Sequence, residues 1–278
     1  MTASISANEF TFAEFERNGW ENAGTVTGYD EHLSVVTTQC IAALLDDASV
    51  HAKSRVVDVA TGGGYMAAAA LQRGANPVGI DFSAAQIEFA RARHPGISFI
   101  QSNAENLPFE SNSFDGVISA FGICHLPNPD AFLREANRVL KPSGRIAFSV
   151  WDIPERAIGI GAVYGAIREH GSMDVGLPPG PSFFLFSNPE QSIKALQDAG
   201  FVSPTVRQVT QTWRITDPGK LFDMFAESSV RAGATLRAQS HTAQQAIRSA
   251  LKERILEFKC DDHFAIPMPA VVASAIKP

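Results

Sequence analysis

The most constraining feature of the sequence is a short apolar strand pattern that runs directly into three consecutive glycines. It reads Val-Val-Asp-Val-Ala-Thr-Gly-Gly-Gly-Tyr over residues 56–65, and an alanine-rich helical pattern follows. Glycine permits positive φ angles and lets a ligand approach the backbone closely, because no Cβ intervenes. A strand, a glycine turn and a helix in this order predict a ligand-binding loop in an α/β domain.

Strand and helix patterns alternate around this loop, which is typical of a parallel sheet with crossover helices. Ser83 and the residues at 129–130 supply helix starts, and Pro142 and Gly144 supply a stop. The sequence therefore predicts an α/β fold with a doubly wound, mostly parallel seven-stranded sheet. The expected strands are 55–60, 76–81, 97–101, 114–120, 144–150, 205–215 and 271–275; the expected helices include 10–20, 32–46, 84–93, 131–140, 157–170, 189–199 and two within 218–258.

Three segments are expected within one compact domain. Residues 1–50 form an N-terminal helical cover, residues 51–152 form the ligand-binding core, and residues 153–278 form an inserted cap and complete the sheet. The length of 278 residues permits such a domain.

The charge and the cysteine spacing limit the kinds of partner and ligand that the protein can bind. The 23 Lys and Arg residues are scattered among 29 Asp and Glu residues, a net charge of -6, which argues against a nucleic-acid partner. Cys40, Cys124 and Cys260 lack CxxC spacing, and the run from Cys260 to His263 does not match common zinc spacings, so we expect no metal. With no leader-like or membrane-spanning pattern, we expect a cytoplasmic protein without a membrane partner.

An acidic residue at the start of the glycine loop indicates the kind of ligand. Asp58 lies at the strand end, and no Lys or Arg occurs between Val56 and Gln72. This charge pattern suits a cationic, phosphate-free ligand better than a pyrophosphate. Gly62, Gly64 and Ala67 also satisfy the G-x-G-x-x-A pattern, so a nicotinamide-dependent oxidoreductase and a turn without ligand stay open.

Two further strand ends favour an adenosine group. Asp81 ends the second strand pattern, where a carboxylate can accept both ribose hydroxyls. Helix capping is the alternative role for Asp81, although Ser83 is available for it. The third strand pattern leads to Asn103, whose amide could bind the adenine edge.

These segments, with residues 114–121 and 140–144, closely resemble class I S-adenosylmethionine-dependent methyltransferases, nearest the ubiquinone and menaquinone biosynthesis C-methyltransferase branch. Order and spacing match over residues 55–150. The resemblance implies a Rossmann-like methyltransferase fold, S-adenosyl-L-methionine as cofactor and S-adenosyl-L-homocysteine as product. Most relatives carry Asp where this chain has Asn103. The residues implied to bind the cofactor are Trp20, Tyr29, Asp58, Ala60, Thr61, Gly62, Gly64, Asp81, Phe82, Asn103, Ala104, Glu105, Ala120 and Phe121.

The resemblance also suggests roles for these residues. Residues 60–64 would surround the methionine part, with Asp58 holding its ammonium through water, and Asn103 and Ala104 would contact adenine. Trp20 and Tyr29 match aromatic residues that close over the cofactor in such enzymes, and plain packing of the N-terminal helices is an equal alternative.

Methyl transfer needs an acceptor atom in line with the sulfonium methyl, so positioning and desolvation can supply much of the catalysis. His125 is the candidate proton acceptor, and a structural role for it is the alternative. Aromatic residues beyond the strand ends could form an apolar acceptor wall or fill the core. They are Phe121, Trp151, Tyr164, Phe183, Phe184, Trp213 and Phe225.

The predicted function is methyl transfer to a small, apolar or aromatic metabolite. A cofactor-binding cyclase or pericyclic catalyst that transfers no methyl group is the alternative on the same fold. A protein acceptor stays open, as do carbon, oxygen and nitrogen acceptor atoms, and both a monomer and a homodimer.

Overall fold

The computed structural model describes residues 10–278 of the chain, so residues 1–9 of the predicted cover lie outside the described residues. The helices are α1 Phe12–Trp20, α2 Ala23–Gly28, α3 Ser34–Thr37, α4 Ile41–Asp47, α5 Tyr65–Gln72, α6 Ala84–Arg93, α7 Pro129–Val139, α8 Ile158–His170, α9 Pro189–Asp198, α10 Leu221–Ser228, α11 Arg231–Arg237 and α12 His241–Arg254. The strands are β1 Arg55–Val59, β2 Asn76–Asp81, β3 Ser98–Gln101, β4 Phe114–Ala120, β5 Leu140–Trp151, β6 Val202–Val209, β7 Thr212–Ile215, β8 Lys259–Cys260, β9 His263–Pro267 and β10 Ala270–Ile276.

The main sheet has seven strands in the order β3-β2-β1-β4-β5-β10-β6. The first five strands pair in parallel, whereas β10 is antiparallel to both β5 and β6. The predicted fold class, a mostly parallel seven-stranded sheet with flanking helices, is therefore confirmed. Because strand order reverses between β1 and β4, the carboxyl ends of these two strands mark the crevice where ligands bind in doubly wound sheets.

Local sequence explains these elements. Val56, Val57 and Val59 are fully buried in β1, as expected where helices cover both faces of a parallel sheet. Ser83 accepts a hydrogen bond from the backbone of Gln86 and caps α6 as predicted.

Several predicted elements were wrong. The expected strand 205–215 is two strands, β6 and β7, which belong to different sheets. A three-stranded sheet, β7-β9-β8, was not predicted, and three α-helices rather than two occupy 218–258. The expected helix 32–46 is interrupted by a 3-10 turn at Thr38–Cys40 and begins within a π-helical turn, Tyr29–Leu33.

The chain forms two compact units that interleave along the sequence. We call them the sheet unit, which contains the main sheet, and the helical unit. The sheet unit comprises Thr37–Asp152, Pro181–Gln211 and Pro269–Pro278, and the helical unit comprises the described residues up to Val36, Ile153–Gly180 and Thr212–Met268. These divisions do not coincide with the boundaries expected from sequence, and the roles of cover, core and cap stay predictions.

Within the helical unit, glycines allow close helix packing. A Cβ added to Gly19 would collide with the side chain of Val230, and one added to Gly180 would collide with the ring of Phe12. The guanidinium of Arg231 lies over the ring of Phe12 at 5.6 Å. Helix α1 therefore packs with α11 and the segment that ends at Gly180. Across residues 10–278, no helix has the length and apolar character that a membrane crossing requires.

Candidate functional site

The loop between β1 and α5 has a backbone that favours glycine. Three of its residues have positive φ: Ala60 at 56°, Gly62 at 52° and Gly64 at 80°. A Cβ on Gly64 would lie 2.7 Å from the ring of Phe99, whereas one on Gly62 would meet nothing nearer than 3.8 Å. The loop is therefore packed tightly at Gly64 and has space beside Gly62.

Asp58 connects this loop to the start of α5. Its side chain is buried, and Oδ2 accepts hydrogen bonds from Thr61 Oγ1 at 2.5 Å and from the backbone nitrogen of Ala67 at 3.1 Å. Burial raises the pKa of Asp58 to about 7; the hydrogen bonds from Thr61 and Ala67 oppose this effect, and the charge of Asp81 adds to it. Asp58 is thus a buried group that titrates near neutral pH.

Asp81 holds the other side of the glycine loop. One oxygen, Oδ2, accepts the backbone N–H of Gly62 at 3.0 Å, and Oδ1 accepts that of Ser83 at 3.0 Å. The carboxylate is therefore fixed at the carboxyl end of β2. Consecutive loop residues, Thr61 and Gly62, bind the two different carboxylates.

The loop after β3 carries the predicted adenine contacts. Asn103 Oδ1 accepts the backbone N–H of Glu105 at 2.9 Å, which closes a local turn. Glu105 Oε1 in turn accepts the backbone N–H of Asn128 at 2.7 Å, and Ala104 is buried. The oxygen of Asn103 thus shapes its own loop.

The carboxyl end of β4 is also strained. Phe121 has a φ of 55°, and its N–H donates to Ser149 at both the carbonyl, 3.0 Å, and the hydroxyl, 3.2 Å. Its ring lies 4.3 Å from that of Trp151, centroid to centroid. A Cβ on the next residue, Gly122, would be 2.5 Å from Ala60 Cβ, so the β4 end contacts the glycine loop directly.

His125 lies in a 3-10 turn after β4 and is partly exposed. Its ring is 5.7 Å from Phe183, edge to face, and Phe183 is 5.1 Å from Phe184. The structure thus brings His125 and these two candidate wall residues into one aromatic chain within the sheet unit.

Apart from Phe82, which belongs to the sheet unit, the other predicted aromatic residues belong to the helical unit. Trp213 is completely buried and pairs with the buried Phe225 at 5.4 Å. Trp20 pairs with Tyr29 at 5.8 Å, and Tyr164 lies on α8. Trp213 and Phe225 contribute to the core of their unit, and their role as acceptor wall stays a prediction.

Two site-proximal residues were missed at the sequence level. Ser149 is buried in β5, and Cys40 Sγ lies 3.7 Å from its hydroxyl. Burial raises the pKa of the Cys40 thiol to about 11. A serine within the apolar run 146–151 was the available signal, because a buried hydroxyl requires a partner.

The fold and this site define a class: an α/β protein with a doubly wound sheet whose glycine loop lies at the strand-order switch point, where ligands bind in such sheets. Its glycine loop lies between the carboxyl groups of Asp58 and Asp81, and the ring of His94 lies beside Gly64. In the part of the chain that the structure describes, no group of three or more His, Cys, Asp or Glu residues is arranged to hold a metal.

Comparisons with known proteins identify the family. The family profile described as a methyltransferase domain matches residues 57–148. The ubiquinone/menaquinone biosynthesis C-methyltransferase UbiE of Agrobacterium fabrum is 31% identical over 175 residues, which cover 56% of this chain and 67% of that protein. The demethylmenaquinone methyltransferase of Clavibacter sepedonicus is 36% identical over 130 residues, which cover 46% of this chain and 50% of that protein. The chain spans about half or less of the length of the Clavibacter protein and of two other demethylmenaquinone methyltransferases that it matches.

A solved structure shares the fold. Phosphoethanolamine N-methyltransferase 2 of Haemonchus contortus superimposes with a TM-score of 0.59 at 19% identity, covering 97% of this chain and 61% of that one. This chain belongs to the class I S-adenosylmethionine-dependent methyltransferases, close to the UbiE type.

Proposed function

We propose that this protein binds S-adenosylmethionine at the glycine loop and transfers its methyl group to a small apolar or aromatic metabolite. The observation that carries the proposal is the loop itself, held between the carboxyl groups of Asp58 and Asp81 without a Lys or Arg between Val56 and Gln72. Carboxyl groups on both sides of a ligand loop favour a cationic ligand, which stabilises their ionised forms, and disfavour a pyrophosphate.

The residues present fit this cofactor. The space beside Gly62 lets a ligand approach the loop backbone, and the Haemonchus structure, which shares the fold, was solved with S-adenosylhomocysteine. Asp58 and the loop would hold the methionine part, and Asp81 with Phe82 would hold the ribose. Asn103, Ala104 and Glu105 would contact the adenine, and Ala120 and Phe121 would line the site at the β4 end.

When bound, S-adenosylmethionine supplies an electrophilic methyl group. The protein's contribution is to orient an acceptor and exclude water, and such positioning can supply a large part of the rate enhancement. Phe121 and Trp151 form an aromatic surface at the carboxyl end of β4, which contacts the glycine loop through Gly122 and Ala60. This surface supports an apolar or aromatic acceptor.

His125 is the proposed proton acceptor for substrates that must lose a proton. It is partly exposed and follows β4, on the same turn that begins at Gly122. Its edge contact with Phe183 would restrict the ring's orientation. An acidic phenol or enol suits a neutral imidazole as base.

The decisive experiment incubates the protein with methyl-labelled S-adenosylmethionine and a fractionated metabolite extract. We expect label to enter a small molecule while S-adenosylhomocysteine accumulates in the same amount. Asp81→Ala should abolish transfer, whereas Asp198→Ala, on an exposed ion pair of α9, should not. Product formed without S-adenosylhomocysteine would instead indicate the cyclase or pericyclic alternative.

A ligand comparison tests the cofactor separately. We expect S-adenosylhomocysteine to raise the melting temperature, because a ligand that binds only the folded protein stabilises it, while NAD and NADP leave it unchanged. Stabilisation by a dinucleotide alone would contradict the proposal. A small-molecule partner and a cytoplasmic location are part of the proposal, and cell fractionation tests the location.

A further inference from the structure

Asp58 is a buried carboxyl group that lacks a neutralising partner. It is 1% exposed, and within residues 10–278 it takes part in no ion pair. Its hydrogen-bond donors are the hydroxyl of Thr61 and the backbone N–H of Ala67. A buried carboxylate without a cation is costly, so a protonated carboxyl group is favoured in the absence of ligand.

The groups around Asp58 reinforce this state. In the sheet, Asp58 is in register with Gly79 of β2 and Ile118 of β4, neither of which is charged. The charged group that acts on it is Asp81, from the end of β2, and its negative charge also opposes ionisation of Asp58. Asp81 itself accepts two backbone N–H groups, a donor set that suits a carboxylate.

Thr61 allows both protonation states of Asp58. A threonine hydroxyl both donates and accepts hydrogen bonds, so at 2.5 Å it can accept one from a protonated carboxyl group or donate one to a carboxylate. The loop therefore needs no rearrangement when Asp58 gains or loses its proton. Titration of Asp58 is compatible with an intact glycine loop.

We infer that occupation of the glycine-loop site by the ammonium-bearing cofactor releases a proton from Asp58, so that cofactor affinity increases with pH up to the neutral range. This inference rests on the proposed function, because it requires a cationic ligand at this loop. A positive charge near a buried carboxyl group favours its ionised form. By linkage, a ligand that prefers the ionised form binds with loss of a proton wherever the free protein is protonated.

The test is calorimetric titration of the full chain with S-adenosylhomocysteine at about pH 6, in two buffers of different ionisation enthalpy. The ammonium and carboxylate of this ligand do not titrate there. We expect the measured heat to depend on the buffer and to report release of about one proton, falling to about zero near pH 8.5. The dissociation constant should decrease by up to about tenfold per pH unit below neutrality and then level off.

Two variants test whether the released proton comes from Asp58. Asp58→Asn should bind with a heat that is independent of the buffer, whereas Asp115→Asn, which breaks a partly exposed ion pair with Lys141, should still release the proton. If Asp58→Asn fails to fold, the pH dependence of wild-type affinity carries the test. Binding of wild type with buffer-independent heat, or proton release that persists in Asp58→Asn, would overturn the inference. No heat with this ligand at any pH would instead count against the proposed function.

Discussion

At the scale of single residues, the candidate site depends on backbone conformations that L-residues rarely adopt. Ala60 and Phe121 both have left-handed φ angles, and they directly follow the adjacent parallel strands β1 and β4. Such strain persists where neighbouring contacts determine it, and here Ser149 holds Phe121 while Gly122 contacts Ala60. The conformations of the two strand ends are therefore coupled.

Replacing Gly64 by alanine should distort the glycine loop. Gly64 has a φ of 80°, and an added Cβ would lie 2.7 Å from Phe99. We expect the free energy of unfolding to fall by about 1–3 kcal/mol and S-adenosylhomocysteine binding to weaken. Gly96→Ala is the matched control, because a Cβ there meets nothing within 4 Å. Denaturant titration of both variants checks this, and equal stability of the two would contradict it.

The raised pKa of Asp58 makes the stability of the ligand-free protein depend on pH. Between the usual carboxyl pKa and about 7 the folded protein binds more protons than the unfolded chain, so this contribution is present at acidic pH and is lost as the pH rises toward neutrality. The slope from this one group is at most about 1.4 kcal/mol per pH unit. Asp58→Asn should flatten the wild-type curve between about pH 5 and 7, measured by urea unfolding. A variant curve parallel to wild type would refute this assignment.

At the scale of elements, helix α7 holds the loop that follows β3. Arg138 donates to the carbonyls of Leu107 and Phe109, and Glu135 accepts the N–H of Leu107 at 2.8 Å. Paired with each other at 2.7 Å, these two side chains fix a loop that has no regular secondary structure. The predicted adenine-binding residues, 103–105, precede the fixed part of the same loop.

Removing the Glu135–Arg138 pair, which we call the α7 clamp, should weaken cofactor binding although neither residue is predicted to contact the cofactor. In Arg138→Ala we expect a loss of about 2 kcal/mol in stability and faster proteolysis of the loop after β3, because two carbonyls lose their donor. Affinity for S-adenosylhomocysteine should fall as well. Lys194→Ala, which breaks an ion pair with both partners more than 60% exposed, should change stability by less than about 0.5 kcal/mol. Identical behaviour of both variants in calorimetry and limited proteolysis would argue against the clamp.

Elements with strong local signals were predictable from the sequence. The bounds of β2, β4 and α6 coincide with those expected, because apolar periodicity and a helix cap agree there. The division of 205–215 was not predictable, since strand propensity continues through it and pairing with β10 or β9 decides the two halves. The hairpin β8–β9 turns through Asp261 and Asp262, a two-residue turn that was not predicted from the sequence.

At the scale of the whole molecule, the positions of some candidate site residues can be predicted from the order of strands along the chain, whereas others depend on three-dimensional packing. The predictions that Asp58, Asp81 and the glycines occupy one edge follow from parallel strands sharing their carboxyl ends. The positions of Tyr164, Trp213 and Phe225 do not, because aromatic residues fill cores and line pockets with the same sequence signal. The role of Ser149 was also not predicted, because its contact with Phe121 joins residues that are 28 positions apart in the sequence.

The net charge of -6 leads to a prediction for the entire chain. Neutralisation of nucleic-acid phosphates requires clustered basic residues, and here 23 basic residues are scattered among 29 acidic ones. We expect no retention on a heparin column at physiological ionic strength and no shift of labelled RNA in a gel. A basic protein of similar size serves as the positive control. Salt-dependent retention would contradict the expectation.

The position of β10 has a consequence for biosynthesis. This strand lies between β5 and β6 and pairs with both, yet it follows them by more than a hundred and by about sixty residues. A nascent chain that has emerged from the ribosome only through β6 carries an unpaired edge on β5 and an unpaired β6. The growing polypeptide therefore exposes unpaired edges on β5 and β6 until β10 has emerged from the ribosome and paired with both, and chaperone demand should be greatest during that interval.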